Sequence, residues 1–148
     1  PPRSTLSPSS AASDVYKRQL GDGVLALDCG LTPENYIGPL LRFKPECVIF
    51  VDATEMGEKP GTVKVLDMSN VRGLPISTHK VPLTLLAKFL RGNLNGVRLA
   101  LIGIQPSLNK LDFKPGLSLE VKKSVDLVVK TLVKALFKSR KTPPPQQA

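Results

Sequence analysis

Val48-Ile49-Phe50-Val51-Asp52 and Leu99-Ala100-Leu101-Ile102-Gly103-Ile104-Gln105-Pro106 are short apolar runs, each closed by a polar residue. A third run, Val24-Leu25-Ala26-Leu27, closes in the same way on Asp28. Apolar runs without alternation fit strands buried on both faces, the pattern of a largely parallel sheet with helices on either side. Thr62-Val63-Lys64-Val65-Leu66-Asp67 alternates instead and follows the turn signal Pro60-Gly61. That pattern predicts an edge strand with one wet face. The fold class expected from these runs is α/β.

Outward from the strands, two helices are marked by periodicity. From Ser118, a candidate N-cap after Pro115-Gly116, the residues Val121, Val125, Val128, Leu132 and Leu136 recur at spacings of three and four. This predicts a long amphipathic helix ending near Lys138. A second helix is predicted from about Pro82 through Leu83, Leu86 and Leu90 to Arg91, stopped by Gly92-Asn93. A helical turn over Asn35 to Arg42 is weaker, because Gly38-Pro39 interrupts it.

The two ends differ in composition from this body. Residues 1–19 show no apolar periodicity and are rich in Ser, Pro and Ala. Their string SPSSAASDVYKRQ resembles translated sequencing-adapter sequence, so residues 1–19 are expected to be a non-native, disordered segment. Residues 142–148, TPPPQQA, are expected to form a disordered, proline-rich tail, since consecutive prolines forbid helix continuation. Between them, residues 20–141 make one domain.

Net charge narrows the function classes. The total of +9 divides into +2 over residues 1–19, +2 over residues 20–116 and +5 over residues 117–148. The basic excess therefore belongs to one helix, where lysines suit a solvated face and the negative end of the helix dipole. With 5% aromatic residues the chain also offers few stacking platforms for single-stranded nucleic acid. No apolar stretch approaches the roughly 18 residues of a membrane span. Cys29 and Cys47 form no CxxC pair and stand with a single histidine, which argues against a structural zinc site or a disulfide framework.

In an open α/β sheet, ligands collect at the carboxyl ends of the strands, where Asp28, Asp52 and Gln105 fall. Asp52 runs straight into the small-residue loop Ala53-Thr54-Glu55-Met56-Gly57, although an aspartate here could also simply accept backbone N–H groups. His79, in the polar step Ser77-Thr78-His79-Lys80 before a helix, suits a cleft lining. A strand-terminal carboxylate with a histidine is two residues of a carboxylate-histidine metal site. Gly21-Asp22-Gly23 precedes a strand, so it reads as a turn and not as a phosphate-cradling loop.

Five strings in order make the chain similar to the hydrogenase maturation endopeptidases, in the formate-hydrogenlyase or energy-converting branch. They are Leu27-Asp28-Cys29-Gly30 with Thr32-Pro33-Glu34-Asn35; Val51-Asp52-Ala53-Thr54-Glu55-Met56-Gly57 with Pro60-Gly61; Ser77-Thr78-His79-Lys80-Val81-Pro82-Leu83; Ile102-Gly103-Ile104-Gln105-Pro106; and the closing helix after Leu117-Ser118. The resemblance covers about residues 20–138. It implies a three-layer α/β/α sandwich with a mostly parallel sheet. It also implies an endopeptidase that removes a C-terminal extension from the precursor of a nickel-iron hydrogenase large subunit. The nickel belongs to that client, and the peptidase has no cofactor of its own. On this resemblance Asp52 and His79 are the catalytic, nickel-reading residues, and Glu55 and Asp28 stand beside them or line the cleft.

The family's opening strand, its Gly-Asn-x-Leu-x-x-Asp-Asp-Gly loop and the helix that follows have no counterpart in residues 1–19. The expectation is therefore an N-terminally truncated peptidase domain at residues 20–141, lacking the third carboxylate ligand and impaired in activity. The resemblance further implies a cytoplasmic protein, monomeric when complete, with no membrane insertion and no nucleic-acid partner. The alternative is a basic α/β module that binds an acidic protein or RNA through the lysine-rich helix.

Overall fold

The computed structural model describes residues 23–69, 82–108 and 116–141. Segments 1–19 and 142–148, which composition set apart, lie outside the described residues, as do Asp22 and His79. Among the described residues three strands form one mixed sheet in the order β1-β3-β2. Strand β1 (Cys47–Ala53) runs parallel to β3 (Arg98–Ile104), and β2 (Val63–Asp67) runs antiparallel to it.

The three strands realise their sequence patterns differently. The uninterrupted apolar run of β3 is the central strand, and Leu99 and Leu101 to Ile104 are all buried, as a strand covered on both faces requires. The alternating run is the edge strand β2, but the expected single wet face is not seen: Lys64 and Val65, which as neighbours point to opposite faces of the sheet, are both exposed. The apolar run of β1 departs from the expectation of burial on both faces. Val48 is buried, but Ile49 and Val51 on the other face are 42% and 49% exposed. The helix on that face packs on Val63, Ile102 and Ile104 of β2 and β3, and no described strand pairs with the outer edge of β1.

The expected strand Val24–Leu27 is a correction as well. Among the described residues Val24 to Cys29 belong to no strand or helix. Composition favoured a strand there, but a strand exists only where a partner edge satisfies its N–H and C=O groups, and this segment makes no ladder with a described strand.

The helical layers follow from capping and periodicity. A 3-10 turn (Pro33–Tyr36) leads directly into α1 (Ile37–Phe43). Gly38-Pro39 does not break this helix, because proline in the first turn forfeits an N–H that has no partner within the helix. Lys44, in the left-handed conformation at φ 52°, ends it and donates its N–H to the Leu40 carbonyl. Helix α2 (Leu83–Asn93) buries Leu83, Leu86, Ala87 and Leu90 on one stripe. Gly92 and Asn93, expected as a stop, form its last turn, where Asn93 Nδ2 donates to the Phe89 carbonyl at 2.9 Å.

Helix α3 (Leu119–Lys141) starts where the sequence places it, with the Val121 N–H donating to Ser118 Oγ at 3.4 Å. Its buried face carries Val121 and Val128, while Lys122, Lys123, Lys130, Lys134 and Lys138 are exposed. The layers then close around the sheet. One face, with Val48, Leu99 and Leu101, joins α1 and α2 in the larger core around Leu90 and Met68, both fully buried. Burying one such side chain stabilises the fold by about 1.5–3 kcal/mol. The opposite face, with Ile102 and Ile104, carries α3, which completes an α/β/α arrangement.

Candidate functional site

Parallel pairing puts the carboxyl ends of β1 and β3 on one rim of the sheet, because Ala53 is level with Ile104. Asp52 and Gln105 are therefore neighbours in the fold, as their strand-ending positions suggested. Asp52 is half-buried and stands in a row with Gly103 and Lys64 across the three strands. The Thr54 N–H continues the ladder one step past β1, donating to the Ile104 carbonyl at 2.9 Å. Thr54 Oγ1 in turn donates to the Asp52 carbonyl at 3.3 Å.

Gln105 fastens the loop that follows Asp52. Its side chain is 2% exposed, and every polar atom of the carboxamide is used. Oε1 accepts from the Met56 N–H at 2.7 Å and from the Glu58 N–H at 3.3 Å. Nε2 donates to Glu55 Oε2 at 2.9 Å and to the Pro106 carbonyl at 3.3 Å. Glu55 itself is exposed, and its Oε1 accepts from the Gly57 N–H at 2.9 Å. The loop then reaches β2, where Lys64 pairs with Glu58.

This crossing depends on Gly103, for a Cβ there would come within 3.1 Å of Met56 Sδ and 3.2 Å of Thr54 Cβ. A glycine inside an apolar strand is a signal of close approach, and it was the one trace of the crossing present in the sequence. The rim is shared with the start of α3. Gly61, at φ +84°, donates its N–H to the Gln105 carbonyl at 2.9 Å, and its own carbonyl accepts from Ser124 Oγ.

Of the remaining expected site residues, only Asp28 is described. Asp28 is exposed and accepts the Gly30 N–H at 3.3 Å in a local turn. Beside it, burial raises the pKa of the Cys29 thiol, and the Asp28 charge raises it further. Cys29 and Cys47 are both free thiols. His79 lies outside the described residues. Among the described residues no group of three or more His, Cys, Asp or Glu side chains is arranged to hold a metal ion. Asp28, Asp52 and Glu55 thus do not converge into one ligand set. Glu34, in the 3-10 turn, has a buried Oε2 with no hydrogen-bond donor. No described helix is long and apolar enough to cross a membrane.

Known proteins are similar to this chain in sequence and in architecture. The family model described as hydrogenase maturation protease matches residues 11–135, a span that opens inside residues 1–19. A Methanocaldococcus jannaschii protein assigned to the hydrogenase maturation proteases is 32% identical over 125 residues, covering 82% of this chain and 80% of its own length. The crystal structure of a NiFe hydrogenase maturation protease from Thermococcus kodakarensis superposes with a TM-score of 0.67 at 28% identity, covering 86% of this chain and 81% of that one. The solution structure of an endopeptidase from Escherichia coli gives a TM-score of 0.58 at 28% identity, covering 73% and 67%.

Proposed function

Since the chain belongs to the hydrogenase maturation protease family, we propose that it is the endopeptidase that removes the C-terminal extension from a nickel-loaded precursor of a hydrogenase large subunit. The observation that carries this reading is the rim itself. A half-buried aspartate ends a strand there, and the loop after it is held by a buried carboxamide within the span matched by the family.

The chemistry follows from that placement. An extended substrate segment lies across the carboxyl ends of β1 and β3, where ligands of open α/β sheets bind. Asp52 and His79 are the two side chains proposed to touch the nickel, which arrives with the client and is part of the substrate. A divalent ion so held supplies Lewis acidity toward the scissile carbonyl. The peptidase residues orient the peptide, and their affinity for the ion distinguishes a loaded precursor from an empty one. Glu55 lines the cleft, whereas Asp28 is assigned no contact with substrate. Processing is placed in the cytoplasm, before the client joins its partners.

The test is incubation of the chain with purified nickel-loaded precursor, with release of the extension followed by mass spectrometry. Cleavage is expected to be confined to the loaded precursor, at a rate lowered by the impairment expected above, with the nickel-free precursor left intact. Asp52→Ala and His79→Ala are expected to abolish cleavage while the circular dichroism spectrum and melting temperature stay near wild type. Normal cleavage by either variant refutes the site. Cleavage of the nickel-free precursor, or failure on the loaded one by a chain that also carries the family's opening strand, loop and helix, refutes the function.

A further inference from the structure

Gln105 is the polar residue that the assigned chemistry leaves without a task, and it is among the most deeply buried side chains described. A structural filler would need only to satisfy the N–H groups of Met56 and Glu58, which its Oε1 does alone. Nε2 does something further. It donates to the carboxylate of Glu55, an exposed residue whose second oxygen is fixed by the Gly57 N–H. A surface glutamate ordinarily samples several rotamers at little cost, so two donors on its two oxygens select one of them.

We propose that Gln105 is a positioning residue, which straps the Thr54–Glu58 loop over Gly103 and presents the Glu55 carboxylate to a peptide N–H of the bound substrate segment. Each carboxylate oxygen has a second lone pair beyond the one already used. On an exposed side chain these are open to an incoming donor. Glu58 anchors the far end of the strap through Lys64, and the absent side chain of Gly103 gives Met56 its seat. The strap is thus fixed at both ends and in the middle, and Glu55 is the carboxylate it exposes. The inference rests on the peptidase reading above and adds to it the residue that fixes the substrate backbone.

The experiment compares cleavage kinetics of the full chain with those of Gln105→Glu, Glu55→Ala, and Gln105→Glu combined with Glu55→Gln. In Gln105→Glu, one carboxylate oxygen still accepts from Met56 and Glu58, but the other now faces Glu55 and repels it. KM is expected to rise about tenfold with kcat within about twofold, the loss of one hydrogen bond to a charged group. The double variant exchanges the two groups, so that the carboxamide at position 55 donates to the carboxylate at position 105 and accepts from the Gly57 N–H. Its KM is expected to return to within about threefold of wild type on the same grounds.

Glu55→Ala leaves both Gln105 acceptor bonds in place and is expected to show the same tenfold rise, which keeps the test decisive if Gln105→Glu fails to fold. Wild-type KM in Glu55→Ala, or a folded double variant no better than Gln105→Glu, overturns the proposal. If wild type cuts no precursor, the outcome bears on the peptidase reading alone. Anisotropy of a fluorescent peptide carrying the extension then reads the same ratios as Kd, and equal binding by all variants, or by none, overturns the strap.

Discussion

Replacement of Gly61 by alanine probes the junction between the rim and α3. Gly61 sits at φ +84°, where a Cβ is unfavourable by about 1–2 kcal/mol. The added methyl would also meet the Glu120 carbonyl oxygen at 2.9 Å and its carbon at 3.1 Å. These are backbone atoms of α3, which cannot rotate aside, so relief requires the helix to shift. Overpacking of this kind costs about 1–3 kcal/mol. Alanine restricts the unfolded chain and returns about 0.4–1 kcal/mol. The net expectation is a destabilisation of roughly 2–3 kcal/mol, or about 5–10 °C in melting temperature for a domain of this size.

Gly92→Ala is the matched control, because Gly92 lies in the last turn of α2 with no heavy atom within 4 Å of its virtual Cβ. It should stabilise by about 0.5–1 kcal/mol, the helix-propensity gain alone. Urea unfolding followed by circular dichroism measures both. A Gly61→Ala chain within about 0.5 kcal/mol of wild type, or as stable as Gly92→Ala, would show that α3 is not seated on this turn.

Three further outcomes are expected. Val128→Asp places an unpaired charge against Ile102 and Ile104 and should cost several kcal/mol, whereas exposed Lys130→Gln should stay within about 0.5 kcal/mol, both read from urea midpoints. Iodoacetamide at pH 8 should label exposed Cys47 well before Cys29, whose raised pKa keeps it a thiol; equal rates by mass spectrometry would contradict the burial assigned to Cys29. The Asp67 carboxyl is held below its ordinary value by the Ser69 N–H and hydroxyl, with Arg91 adding less. Its contribution is therefore present above the unfolded value near 3.9 and lost as pH falls through the lower folded value. Asp67→Asn should flatten the acid limb of the stability curve and leave neutral pH little changed, and an unaltered limb would remove Asp67 from acid unfolding.

What could be read from sequence was whatever a residue decides with its near neighbours. The apolar run 99–104 announced a strand buried on both faces, the three-and-four spacing from Val121 announced α3, and Asp52 was visible as the polar stop to an apolar run. Pairing partners were not visible. Val24–Leu27 and Val48–Val51 have the same apolar character, yet only the second forms a described ladder, because that depends on an edge supplied elsewhere in the chain. Gln105 was marked by its position, but its hold on Glu55 joins residues fifty apart and leaves no local pattern. Gly103 passed in the sequence as one more residue of its apolar run.

The strand order also sets a timetable. Both β1 and β2 pair with β3 alone, and β3 is the last described strand to leave the ribosome. Neither ladder can begin until Arg98–Ile104 is available, so no early hairpin between described strands shelters the apolar run of β1 during synthesis. Closing the long loop from Cys47 to its partner Arg98 must precede the contacts that reward it, which slows folding and prolongs exposure to other chains. Gln105 follows β3 by a single residue, so the register that completes the sheet also brings the carboxamide to the Met56 and Glu58 amides. The rim proposed to take the substrate is therefore assembled in the same late step as the described sheet, and a folding intermediate that exposes β1 does not yet have it.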